Sequence, residues 1–295
     1  MAGEQDYPQA TLYMVATPIG NTADISLRAL HVLDLADRVA CEDTRHTAQL
    51  LHVFGLHKPL LPLHQHNEHS ASAKVLEHLQ SGERVVYVSD AGTPGVSDPG
   101  ALLAHAVRSQ GFRVMPLPGA SSITTLLSAT GMPSAGDDWA TQGFVFMGFL
   151  PAKGQARQAA IEALTHHRQA VIWMEAPHRL DKLASELHAL GNRALTVGRE
   201  LTKRFEHIVT LPCQSLGDWL ASQAEHRKGE FVFALEPATG EAPTMDAQVT
   251  RVLDLLLAEL PIKGACRVAA GITGLSKNAL YDLALSRKGA AGQNA

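Results

Sequence analysis

The chain has 295 residues, 45% of them hydrophobic and 18% charged, a globular composition of a size that predicts two domains and a small extra one. A formal net charge of −4 excludes an evenly basic surface, so any nucleic-acid interface is a local patch. No run approaches the roughly 18 uninterrupted apolar residues of a membrane span. The acidic start MAGEQDYPQA lacks the basic region of a signal peptide, and Cys41, Cys213 and Cys266 lie far apart without CxxC spacing, as expected of a reduced cytoplasmic protein. The acidic excess is local. Residues 1–118 hold 8 Lys and Arg against 12 Asp and Glu, residues 119–236 hold 11 against 12, and the remainder 6 against 5.

Residues 12–16 (LYMVA) form a predicted strand that runs into TPIGN. Segment 26–35 then places Leu27, Leu30 and Leu33 at helical spacing, with Asp24 or Ser26 positioned to cap it. A strand at 38–41 leads into EDTR and a helix over 47–54, and a strand at 60–63 precedes a helix over 72–80 stopped at Gly82. The strand at 85–89 enters a glycine-rich loop, and a helix over 100–110 and a strand at 113–117 close the set at Pro118-Gly119. This alternation predicts a mostly parallel sheet with helices on both faces. A second set holds strands at 143–147, 170–174, 194–198 and 230–235, with helices over 156–165, 179–190 and 216–224. Beyond the turn-rich linker PATGEAPT (237–244) come helices over 247–260, 263–270 and 276–285. The last two, joined by a turn containing Gly271 and Gly274, fit a helix-turn-helix-like unit.

The loop after 85–89 carries most of the chemistry. Gly92, Gly95 and Gly100, spaced by Pro94 and Pro99, let main-chain groups approach a ligand closely. Asp90 and Asp98 stand there with no nearby Lys or Arg, which is wrong for a phosphate cradle. The loop suits a ligand that is cationic or rich in hydroxyl donors, and S-adenosylmethionine is both. Loops 17–21, 42–45, 66–68, 89–100 and 118–122 all follow strands, where open α/β sheets place their ligand crevice.

Taken in order, ATPIGN (16–21), EDTR (42–45), SDAGTP (89–94), SDPG (97–100), PLPGASS (116–122), GFLPAK (148–153), HRL (178–180), RELTK (199–203) and KGEFV (228–232) resemble the S-adenosylmethionine-dependent tetrapyrrole methylase superfamily. Within it they resemble the branch that methylates a cytidine 2′-oxygen in small-subunit rRNA. The resemblance implies an α/β fold of two αβα domains, 11–118 and 119–236, with a cleft between them and a helical domain over 245–288. It also implies a cytoplasmic homodimer whose partner is 16S rRNA in the small subunit. S-adenosylmethionine is placed against Pro18, Gly20, Asp90, Gly92, Thr93, Val96, Ser121, Ser122 and Met147.

A ribose hydroxyl attacks well only when its proton is removed, help worth ~10²–10⁴-fold. Candidates are Asp98, Glu42, Asp43, Glu68, Glu175, Glu200, His66 and Lys203. Asp98 is favoured over Glu175 and Glu200 because its loop borders the methyl donor, while a purely structural role at the start of the next helix stays equally open. Arg45, His66, Lys153, Arg157, Arg179, Arg199, Lys203 and Arg204 suit RNA contacts, the basic ones by gripping phosphates, with ion pairing as the alternative, for instance Arg199 with Glu200 or Glu206. Lys263, Lys277, Asn278, Arg287 and Lys288 in the terminal helices are open to the same two readings. His64, His66 and His69 lack a completing ligand set, and no metal is expected. Two rival readings remain: methylation of a small molecule such as a tetrapyrrole precursor, and a non-catalytic nucleic-acid-binding regulator.

Overall fold

A computed structural model of the chain describes residues 2–64, 67–96, 98–132, 143–238, 247–273 and 275–291. The chain divides into two compact units, Met1–Pro237 and Ala238–Ala295.

The first sheet of unit 1 contains β1 (Thr11–Val15), β2 (Arg38–Cys41), β3 (Leu60–Pro62), β4 (Arg84–Val88) and β5 (Arg113–Leu117). All pairs are parallel, in the order β3-β2-β4-β1-β5. Successive residues alternate between two cores. Tyr13, Val15, Val39, Cys41, Val86 and Val88 pack with α1 (Leu27–Leu35) and α2 (Thr44–Val53). Leu12, Met14, Ala40, Val85 and Tyr87 pack with α3 (Glu68–Gln80) and α4 (Gly100–Ser109). Coverage on both faces explains why these strands read as unbroken apolar runs. Two caps fix the helix starts beside the strand ends: Ser26 accepts from the Ala29 N–H at 3.0 Å and Asp43 from the Arg45 N–H at 2.8 Å.

The second sheet contains β6 (Phe144–Phe149), β7 (Ala170–Glu175), β8 (Ala194–Arg199), β9 (His207–Pro212) and β10 (Phe231–Leu235), in the order β6-β7-β10-β8-β9. Only the β6–β7 pair is parallel among these. Trp173, Val197 and Phe233 bury one face under α6 (Gly154–His166), α7 (Leu180–Leu187) and α8 (Leu216–Ser222), with Trp173 stacked on Phe233 at 5.4 Å. On the other face, Ile172, Val232 and Ala234 meet Ile123 and Leu126 of α5 (Ser122–Ala129).

Two elements, α5 and β9, go beyond the sequence expectations. Helix α5 is only eight residues long and includes two Thr and an Ile, so its propensity is weak even though Ile123, Leu126 and Leu127 keep the i, i+3, i+4 spacing. Strand β9 returns from β8 through a turn with no glycine, in which Glu200 (φ 52°) and Thr202 (φ 65°) take left-handed conformations instead. Non-glycine residues seldom do this, so the turn carries no hairpin signal.

Unit 2 consists of α9 (Ala247–Glu259), α10 (Ile262–Thr273) and α11 (Lys277–Ala291), packed around Val249, Leu253, Ala265, Cys266, Ala269, Leu280 and Ala284. Ser276 caps α11 by accepting from the Ala279 N–H at 3.1 Å. Gly271 lies inside α10 rather than in the turn, because the helix runs on to Thr273, whose hydroxyl donates to the Ala269 carbonyl at 2.7 Å. Gly274, most of the linker and residues 133–142 fall outside the described residues. Among those described, no helix is long and apolar enough to cross a membrane, and all three cysteines are buried and free.

Candidate active site

Within unit 1, a cavity of about 490 Å³ lies between the carboxyl ends of the first sheet and the facing ends of β7 and β10. That volume falls within the ~300–1,000 Å³ common for small-ligand sites. Its floor is a set of loops bonded to one another. The Thr17 N–H donates to the Gly92 carbonyl at 3.0 Å and the Gly92 N–H to the Thr17 carbonyl at 3.1 Å. Gly92 does this with φ 83°, a left-handed conformation in which any side chain would be strained. Asp90 Oδ1 accepts the Asp43 N–H at 3.1 Å, tying the glycine loop to EDTR, and Thr93 Oγ1 donates to the Ala120 carbonyl at 3.0 Å, tying it to PGASS. Asp98 Oδ1 accepts from both Gly95 (2.7 Å) and Gly100 (2.9 Å).

The opposite wall is held by a buried ion-pair network. Arg157, 1% exposed, donates from Nη1 to Glu175 Oε2 at 2.9 Å and to the Pro151 carbonyl at 3.0 Å, and from Nε to Glu186. Its Nη2 lies 2.7 Å from Glu186 Oε2, an ion-pair distance without hydrogen-bond alignment. Glu175 Oε1 accepts from the Ala176 N–H at 3.1 Å and Arg179 Nη1 at 3.3 Å. Nearby, Glu200 Oε1 accepts from the Glu230 N–H at 2.9 Å and Lys203 Nζ at 3.1 Å, while Lys203 also reaches Glu230 Oε2 at 3.0 Å. Burial works against charge on both Glu200 and Lys203. It is outweighed, so Glu200 sits below its ordinary value through the Glu230 N–H and Lys203, and Lys203 above its own through Glu230 and Glu200.

Of the nine residues expected to hold the cofactor, Asp90, Gly92, Thr93, Val96, Ser121 and Ser122 line this cavity. Pro18, Gly20 and Met147 do not. Ile19 takes the place of Pro18, and Gly20 is where the first loop passes against Lys203 and Thr202, too closely for a Cβ. Met147 points into the helix-covered core, and Met174, beside the core residue Trp173 on β7, faces the cavity instead. Strand alternation alone distinguishes the two methionines.

The three favoured carboxylates are all engaged by the fold. Glu175 is paired with two guanidiniums, and Glu200 holds the β8–β9 turn through Oε1 and is not among the residues lining the cavity, so neither is placed as an unpaired base there. Asp98 lines the cavity but organises its own loop. Glu42, at the end of β2, also lines it. Burial first, then the Asp90 and Asp98 carboxylates, push Glu42 up to about 7 against a hydrogen bond from the Asp90 backbone.

The basic candidates divide. Arg199 is 8% exposed and donates to the Lys228 carbonyl at 2.8 Å and the Phe205 carbonyl at 3.0 Å, so it is a structural cation, a correction to the RNA-contact expectation that also holds for Arg157. Arg179 and Lys203 are partly buried against carboxylates. Arg45 is exposed and paired with Asp43 at 2.8 Å, which holds the Asp43 carboxyl well below its ordinary value. Lys153 is exposed at the start of α6. His66 and the side chains of Arg287 and Lys288 lie outside the described residues, among which no cluster of His, Cys, Asp and Glu is arranged to hold a metal.

A parallel α/β sheet whose loops close a glycine-lined cleft against a second, mixed sheet is the architecture of a tetrapyrrole methylase. The family profile described as Tetrapyrrole (Corrin/Porphyrin) Methylases matches residues 11–217, and that of the RsmI C-terminal HTH domain matches 243–288. A solved structure of uroporphyrin-III C-methyltransferase from Thermus thermophilus, complexed with S-adenyl homocysteine, superposes with a TM-score of 0.52 over 77% of this chain and 97% of its own, at 16% identity. Ribosomal RNA small subunit methyltransferase I of Pseudomonas aeruginosa is 45% identical over 95% of this chain and 98% of its own length, and that of Escherichia coli O157:H7 44% over 96% and 98%. The chain belongs to the family of ribosomal RNA small subunit methyltransferase I, within the tetrapyrrole methylases.

The residues present fit the cofactor of that family, S-adenosylmethionine. The described lining holds Glu42, Asp90, Asp98, Glu175 and Glu230 and no Lys or Arg, and the first three, which enter no ion pair among the described residues, are acceptors suited to a sulfonium and an ammonium group. Gly92 leaves main-chain groups open to close approach, and Ile19, Met174, Leu201 and Val232 supply apolar surface.

Proposed function

We propose that this chain transfers a methyl group from S-adenosylmethionine to the 2′-hydroxyl of a cytidine ribose in the decoding region of 16S rRNA, acting on the small ribosomal subunit as a cytoplasmic homodimer. The observation that carries this reading is the 40–45% identity, over essentially the whole chain, to proteins named for methylation of small-subunit rRNA. The acidic cleft supports the donor half of the reading, and the match to a C-terminal HTH domain supports a nucleic-acid partner.

S-adenosylmethionine supplies a methyl group already activated by its sulfonium. The protein then has to align the acceptor, exclude water and take a proton. Asp90, Gly92, Thr93, Val96, Ser121 and Ser122 hold the donor in this reading, with Met174 and Leu201 closing its apolar side. Rigid loops matter because alignment is worth several kcal/mol only while the reacting atoms stay near ~3–3.5 Å apart. Arg45 and Lys153 are exposed cations suited to rRNA phosphates. Lys153→Gln is therefore expected to weaken subunit binding at every salt concentration and lower the slope of log K against log salt by about 1. S-adenosylmethionine affinity should not change, and an unaltered slope would remove Lys153 from the interface.

The reading is tested by incubating labelled S-adenosylmethionine with small subunits lacking the modification, with naked 16S rRNA and with uroporphyrinogen, then mapping any product. Label on one ribose 2′-oxygen supports it. Label on a base, or on the tetrapyrrole alone, overturns it.

A further inference from the structure

The catalytic problem left open is where the hydroxyl proton goes. Five carboxylates line the cavity, and four are already committed: Asp90 to the Asp43 N–H, Asp98 to Gly95 and Gly100, Glu175 to two arginines and Glu230 to Lys203. Glu42 differs. It follows β2 at the cavity wall, and among the described residues its carboxylate enters no ion pair and is favoured only by the Asp90 backbone N–H, whereas Asp90 spends Oδ1 on tying the glycine loop to EDTR. We propose that Glu42 takes the proton of the attacking ribose hydroxyl, and that the cationic methyl donor bound beside it frees its carboxylate to do so.

The inference rests on the 2′-hydroxyl reading above and deepens it. In the step, the ribose O–H bond breaks and its proton passes to Glu42. The ribose oxygen forms the new O–CH₃ bond as the S–CH₃ bond breaks. The electron pair of that bond stays on sulfur, leaving neutral S-adenosylhomocysteine, and Glu42 then releases its proton to water.

The surroundings explain the timing. Asp90 and Asp98 face Glu42 from the glycine loop, Cys41 and Asp43 flank it in the chain, and Tyr87 of β4 completes the group, with Glu68 of α3 facing Asp98 and Tyr87 rather than Glu42. Arg45 is paired with Asp43, so the electrostatics around Glu42 are dominated by acids. Before the donor binds, burial and these carboxylates keep Glu42 about half protonated near neutral pH. A unit positive charge within ~6 Å favours the ionised carboxylate by about ten- to a hundredfold. A base that becomes available only when the methyl donor is present avoids deprotonating substrate to no purpose.

Calorimetry in buffers of different ionisation enthalpy tests this without turnover. At pH 7, binding of S-adenosylmethionine to wild type should release about half a proton. S-adenosylhomocysteine, lacking the sulfonium, should release clearly less, and the difference should vanish in Glu42→Gln. On small subunits, Glu42→Gln should bind S-adenosylmethionine ~5–50-fold more weakly at pH 7, the reciprocal of that coupling, and at saturating donor lose ~10²–10⁴-fold in single-turnover rate and lose the rise in rate from acid to neutral pH. Equal proton release by the two ligands in wild type overturns the proposal even if the variant fails to fold, and so does a variant with the wild-type rate and pH profile. If wild type puts no methyl on any ribose, the hydroxyl reading falls and the proton-acceptor role falls with it.

Discussion

Arg157→Ala is expected to lower the stability of the protein by about 3–5 kcal/mol, the usual result of removing one partner from a buried ion pair. Arg157 and Glu175 are 1% and 0% exposed at the side chain, so the glutamate left behind would be buried with its Oε2 unpartnered. For a unit of this size each kcal/mol moves the midpoint by ~2–4 °C, so thermal unfolding should shift down by about 10 °C. Arg157→Met combined with Glu175→Leu should recover a large part of the loss, because an apolar pair avoids the desolvation penalty that a charged one carries. Denaturant unfolding of the three proteins decides. A single-variant loss below ~1 kcal/mol would mean that water reaches the network and that it does not set the wall of the cleft.

Asp98 is expected to behave as a positioning residue, and a pair of substitutions separates that role from base catalysis. Asp98→Ala leaves the Gly95 and Gly100 N–H groups without their acceptor, at about 1–3 kcal/mol for each group left buried. The loop over which the donor lies then loses its shape, and S-adenosylmethionine affinity should fall at least ~10-fold, since 1.4 kcal/mol is a factor of ten. Asp98→Asn keeps the accepting oxygen and should retain affinity and rate within a few-fold. A general base cannot be replaced in this way, because an amide takes no proton at neutral pH. Normal binding with a rate loss above ~100-fold in Asp98→Asn would return Asp98 to the proton-transfer step. Gly100 shows how tightly the arrangement is built: a Cβ there would meet the Tyr87 ring at 2.5 Å and Asp98 Oδ1 at 3.0 Å.

Much of this was legible in the residues because local and tertiary demands agree. The inner strands β1, β2 and β4 are buried on both faces and announce themselves as apolar runs, and the loops after them hold most of the polar floor of the cleft. The β8–β9 hairpin was hidden because its turn uses strained Glu200 and Thr202 where glycine or Asn-Gly would give the signal. Strain of that kind belongs to functional regions more than to ordinary turns, and here it places Lys203 against Gly20 of the first loop. The carboxylates resisted ranking for a different reason. Glu175, Glu200 and Asp98 look equivalent in a sequence, and only their partners distinguish them: two guanidiniums, a turn N–H with a lysine, and two glycine N–H groups. Glu42 differs from them in what it lacks, which no motif records.

The central claim is that the acidic, glycine-floored cleft of unit 1 is where the methyl donor binds. A crystal structure of the full chain with S-adenosylhomocysteine tests it most directly. The account predicts the ligand folded over Gly92 and Thr93, within reach of Ser121 and Ser122, with its sulfur facing the Glu42 side of the cavity and Met174 against its apolar surface. Ligand bound outside these loops, or within them with its sulfur turned away from Glu42, would contradict the account.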